Sequence, residues 1–181
     1  MGARNYNQST RDVIRDLTIG MHVKTTDAVL VAANFTDTAQ TELFNIIGAI
    51  AVKMLYIEIT AAADANATVV KFNATFTTPV IAAADICGNS ASIATLAAHS
   101  KIVWVGGVVA TAAIITASAG ITDVEAAAKL HILGGETAAG ANTVGTIGML
   151  ASTATQAATI SATAHLFYVG LSAGAYAEAI L

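Results

Sequence analysis

The chain has 181 residues, 55% of them apolar and 11% charged, with a net charge of −4 and a single cysteine. This length suits one domain with a real core, and the lone Cys87 excludes an intramolecular disulfide, so stability must come from burial or assembly. The charged share is roughly half the quarter usual in soluble domains, so much of the surface must be Thr, Ser and Asn or be covered by a partner.

The first 26 residues carry Arg4, Arg11, Arg15 and Lys24 against Asp12 and Asp16, whereas the remainder carries four lysines against ten acids. A basic arm (1–26) therefore precedes an acidic body (27–181), and the arm reads either as a solvated, disordered tail or as a segment that docks on an acidic neighbour. Its four positive charges, diluted by two acids, make a poor nucleic-acid patch, so no nucleic-acid partner is expected. No continuous apolar run follows the polar start, which argues against a secretory signal. "TRDVIRDL" within the arm has the look of a helical turn.

Beyond the arm the clearest periodicity is two. In "TVVKFNATF" Val70, Phe72, Ala74 and Phe76 share one face, and Val69, Lys71, Asn73 and Thr75 the other, the mark of a half-buried strand. "TISATAHLFY" alternates in the same way, with Ile160, Ala162, Ala164, Leu166 and Tyr168 opposite Thr159, Ser161, Thr163, His165 and Phe167. "AIAVKMLYIEIT" (49–60) is apolar on both faces, as in mid-sheet or beneath a partner, with Lys53 and Glu58 expected on opposite faces. Further strands are expected at 28–35, 41–46, 80–86, 101–105, 108–116, 129–133 and 146–151. "TDVEAAAK" is the exception, because Thr122 and Glu125 are spaced as a capping box before three alanines. Together these features predict an all-β fold: an antiparallel β-sandwich, jelly-roll-like, of roughly ten short strands, with an extended N-terminal arm and at most one short helix.

Residues 102–122, in "KIVWVGGVVATAAIITASAGITD", carry no charge over a length that can cross a bilayer. Two adjacent glycines, several Thr and Ser and no Leu or Phe make a marginal membrane helix. Two strands hinged at Gly106-Gly107 fit better, and no membrane partner is expected.

No catalytic constellation emerges. His22, His99, His131 and His165 are scattered without metal-ligand spacing, and no G-x-S-x-G elbow is present. "GGETAAGANTVGTIG" has the glycines of a phosphate loop but not its Lys-Ser/Thr ending, and reads as a loop feeding a strand. Asp64 and Asn66 are too few for Ca²⁺ and mark a turn. A non-enzyme without cofactor or metal is expected. Trp104, Tyr56 and Tyr168 are the candidate packing or interface anchors. Tyr56, Trp104, Phe167 and Tyr168 are too spread in sequence to argue a lectin-type site.

Two stretches resemble small structural proteins of tailed bacteriophages. "QTELFNIIGAIAVKMLYIEITAAADANATVVKF" is similar to their T-x-L-F strand, Gly, longer apolar strand, loop and strand. "GTIGMLASTATQAATISATAHLFYVGLSAGAYAEA" is similar to their C-terminal end, with His165, Tyr168 and Leu171 in the last strand. The resemblance spans about residues 36–178. It implies a head decoration or cementing protein on the capsid surface of the virion, assembled in the host cytoplasm. Such a protein binds the major capsid protein and copies of itself as a homo-oligomer, a trimer for example. Arg4, Arg11, Arg15 and Lys24 would then contact the capsid, a role resting on charge alone. The alternatives are a tail or fibre-associated binding module and, behind it, a membrane protein spanning at 102–122.

Overall fold

The computed structural model describes residues 20–104, 113–116, 131–156 and 159–181. Among them the chain forms two antiparallel sheets enclosing one apolar core, an all-β, sandwich-like fold. The strands are β1 (Met21–Lys24), β2 (Leu30–Val31), β3 (Gln40–Ile47), β4 (Ile50–Ala61), β5 (Val69–Thr78), β6 (Val80–Asp85), β7 (Lys101–Trp104), β8 (Ile114–Thr116), β9 (His131–Leu133), β10 (Val144–Ser152), β11 (Ser161–Gly170) and β12 (Tyr176–Ala179). The first sheet runs β1-β11-β4-β7-β8, with β2 also on β11 and β9 on β4; the second runs β12-β3-β10-β5-β6.

Alternation decides which side chains meet between the sheets. The first sheet points Leu55, Ile57 and Ile59 of β4, Ile102 and Trp104 of β7, and Ala162, Ala164, Leu166 and Tyr168 of β11 inward. The second answers with Phe44 and Ile46 of β3, Val70, Phe72 and Ala74 of β5, and Ile147, Met149 and Ala151 of β10. Each large side chain so buried stabilises the fold by about 1.5–3 kcal/mol. Gly48 turns the chain from β3 to β4 at φ +71°, and Gly134, at φ +77°, passes so close to the Gly48 carbonyl that any Cβ would strike it. These glycines bring the β3–β4 turn and the end of β9 together.

Several expectations need correction. Residues 20–26, counted with the arm on charge, belong to the body. Met21–Lys24 pair in register with Tyr168–His165 of β11. Buried Thr25 secures them, its N–H bonding the Ala164 carbonyl at 3.0 Å and its Oγ1 accepting the Ala164 N–H at 3.0 Å. The expected strand at 28–35 is instead the short β2 followed by a 3-10 turn, Ala32–Phe35. Asn34 ends the strand, because its Oδ1 accepts the Val31 N–H at 2.9 Å, a local bond that competes with the ladder. Lys53 and Glu58 do not lie on opposite faces. The register slips at Lys53, where Tyr168 pairs with Val52 but Phe167 with Met54. The extra residue shifts the alternation by one and puts both charges on the outer face.

Within the charge-free stretch 102–122 the described residues form two paired antiparallel strands, β7 and β8. Ile102 opposes Ile115 and Val103 opposes Ile114, so the stretch is not one continuous helix. Among the described residues no helix is long and apolar enough to cross a membrane. The Gly106-Gly107 bend, the helical readings at 10–17 and 122–129, and Arg4, Arg11 and Arg15 lie outside the described residues.

Candidate interaction surfaces

The outer face of the first sheet carries a compact group of rings. Register sets His22 of β1 opposite Phe167 of β11, and His165 of β11 opposite Tyr56 of β4. His22 stacks on Phe167 with centroids 4.4 Å apart, and His165 on Tyr56 at 4.5 Å. The two imidazoles meet through His22 Nε2 and His165 Nδ1 at 3.1 Å. Their planes differ by only 4° with centroids 5.4 Å apart, so they lie edge to edge in nearly one plane, one ring donating and the other accepting. Burial lowers the pKa of both rings. Lys24 adds to this at His22, and His22 followed by Lys24 at His165, while Glu58 and Asp27 oppose it at His165.

Charges border the rings. Lys24 Nζ pairs with Asp27 at 2.6 Å, holding that carboxyl below its usual range, and Glu58 accepts from His99 at 3.3 Å with Lys101 at 3.9 Å. Burial, followed by the Glu58 charge, raises the Tyr56 hydroxyl. Among the described residues no three potential metal ligands come together. The ring faces are largely spent on one another, which leaves edges rather than a flat platform for a sugar.

The edge of the second sheet is different in kind. Pro79 alone separates β5 from β6, and every residue of β6 is exposed, Val80 at 87% and Ile81 at 50%. Among the described residues β6 pairs only with β5, so its other side is a free row of backbone donors and acceptors. Its one charge, Asp85, is engaged by Lys71 at 2.6 Å. Beside this hairpin lies a mostly apolar cleft of about 370 Å³ lined by Phe76, Pro79, Ile81, Gly134–Ala138 and Thr143. The "GGETAAGANTVG" loop forms one wall, braced by a Glu136–Asn142 bridge and by the Thr143 hydroxyl against Gly135. A row of partly exposed apolar side chains, Tyr176, Ile47 and Val144, crosses the sheet toward the same end.

No family model, curated protein or solved structure matches the chain.

The anchors proposed from sequence separate cleanly. Trp104 is buried and meets His131 edge to face at 5.0 Å, and Tyr168 is buried with its hydroxyl donating to the Ala177 carbonyl at 3.2 Å. Both are packing anchors. Tyr56 alone of the three reaches the surface. Lys24 belongs to β1 and its ion pair. Tyr56 and Phe167, read as too spread to form a site, are neighbours across β4 and β11, as are His22 and His165 across β1 and β11. The one signal available was that the β11 alternation put His165 and Phe167 on a common face.

Asp64 and Asn66 do form a turn, the Asp64 carboxylate accepting from the Asn66 N–H at 2.7 Å. Buried Gln156 clamps it, accepting from the Asp64 N–H and donating to the Asn66 carbonyl and Thr68 Oγ1. Cys87 is buried, accepts the Phe72 N–H at 3.1 Å, and has its thiol pushed up to about 11 by burial, so it is a poor nucleophile.

Proposed function

We propose that this protein is a structural subunit that works by binding energy, a head decoration or cementing protein of a tailed-phage virion that joins the major capsid protein and copies of itself. The observation that carries the assembly part is β6, whose exposed side chains are uncharged up to Asp85 and whose outer edge is unpaired among the described residues, next to an apolar cleft. Isolated soluble proteins blunt such edges with charge, proline or a covering element, and a shell subunit covers them with a neighbour. The virion part is supported by the resemblance of residues 36–178 to phage structural proteins. In this reading residues 1–19, with Arg4, Arg11 and Arg15, reach toward the capsid.

Gradient-purified particles from cells carrying the encoding genome test it directly. The chain should be present in many copies, and a density map should place β6 against a neighbouring subunit. Its absence from the particles rejects the virion reading, and a solvent-facing β6 in the map rejects the assembly reading. The tail or fibre reading draws on Tyr56, Phe167 and the two imidazoles; density on the tail, with glycan binding lost in Tyr56→Ala, would select it.

A further inference from the structure

We propose that His22 and His165 form an acid-opened clasp that fastens β1 to the edge of the first sheet. The inference is independent of the virion reading and rests on how β1 is held. Of its four residues only Val23 packs toward the core, while Met21, His22 and Lys24 are exposed. The firm anchor is the next residue, Thr25, with its two bonds to Ala164. Outside that anchor, among the described residues, β1 is held by Val23 against the core, by its ladder to β11, by the stack of His22 on Phe167 and by the imidazole bond.

That bond has a defined proton capacity. With no proton added, one ring donates N–H to the lone pair of the other. One added proton leaves the N–H···N bond in place and makes it charge-assisted. A second turns both facing nitrogens into donors, abolishes the bond and sets two like charges against each other. The groups around the pair do not cancel this. Lys24 opposes protonation, and Asp27 is already committed to Lys24. From β4 come Tyr56, Glu58 and, at the bulge, Lys53; Glu58 favours protonation of His165 but is shared with His99 and Lys101. The lowered pKa of both rings agrees with a closed clasp that resists the second proton. By linkage, that proton favours the open form.

Opening would pivot at Thr25 and strip Met21–Lys24 from β11, so that residues 165–168 become a sheet edge able to accept another extended segment. Acid would thus expose a strand-binding edge that is covered at neutral pH.

Imidazole ¹⁵N titration of the full chain, followed together with exchange protection of the backbone amides, tests this. Two coupled steps are expected, the lower beneath the ordinary imidazole range. Across it the β1 amides should lose protection about tenfold, as expected of two rings that titrate as a coupled pair, while those at the centre of β4 hold theirs. His22→Gln and His165→Gln keep a polar side chain but do not titrate, and both should leave β1 protection flat over this range. Independent titration of the two rings at the ordinary value overturns the clasp, as does equal acid opening of β1 in both variants. Should a variant fail to fold, the wild-type chain still decides, because a lower step without loss of β1 protection rejects the proposal.

Discussion

β1 and β6 are both edge strands, and they are finished in opposite ways. β1 is four residues long, carries a lysine and a histidine, and is pinned at Thr25. β6 is six residues long, exposed throughout and uncharged until Asp85. Charge and brevity are the usual protections of a free edge; β1 has both, and β6 has only the terminal Asp85. The contrast teaches that the two edges are finished differently although both sheets carry charge: β1 has Lys24 and His22 within four residues, whereas the first five residues of β6 are uncharged and its one charge, Asp85, is tied to Lys71.

The largest effect expected separates what lies beneath β5–β6 from what lies on it. Phe72→Ala, in the core under the hairpin, should lower stability by about 3–5 kcal/mol in urea unfolding, whereas Val80→Ala at the edge should stay within about 0.5 kcal/mol. The companion change Val80→Lys should leave the melting temperature in place and weaken self-association in sedimentation velocity. Unchanged association would remove β6 from the interface.

On the β1 side, Thr25→Val keeps the shape but deprives the buried Ala164 N–H of its acceptor, a loss of about 1–3 kcal/mol. It should also raise amide exchange in β1 before that in β4. A smaller effect is expected from acid. Both imidazoles are held low in the fold, so the unfolded chain binds more protons once the pH drops below about 6.5. Stability present above that value is lost as the pH falls through the lowered range. The urea midpoint should therefore be lower at pH 5 than at pH 7.5, and His22→Gln should shrink the difference. Asp27, whose carboxyl Lys24 holds low, stays ionised through this window. The smallest effect belongs to Lys71→Ala, which breaks the partly exposed pair with Asp85 and should change stability by less than about 1 kcal/mol.

Much of the architecture was legible in the sequence, because β5 and β11 write their buried face as an alternation and β4 stands out as a long run apolar on both faces. What alternation does not carry is register. His22 and His165 are 143 positions apart, and only the pairing of β1 with β11 brings them together. The same gap hid Tyr56 beside Phe167, and the bulge at Lys53 reversed the facing of a charge that strict period two had assigned. β1 was lost among the charges around it, and β12 because "YAEA" is too short to show a pattern. The 3-10 turn followed from one side chain, Asn34, outbidding the ladder for a single N–H. β6 was found as a strand, but its exposure was not, since "VIAAAD" reads like core until the sheet order puts it outermost.

Cys87 gives the sandwich a built-in chemical clock. It is the sole thiol of the chain, fully buried against the Phe72 amide and kept protonated by its surroundings. A thiol reagent in solution can therefore mark the molecule only while β5 has parted from the segment behind β6. Labelling kinetics would time that parting separately from the opening of β1, on unmodified protein and without a mutation.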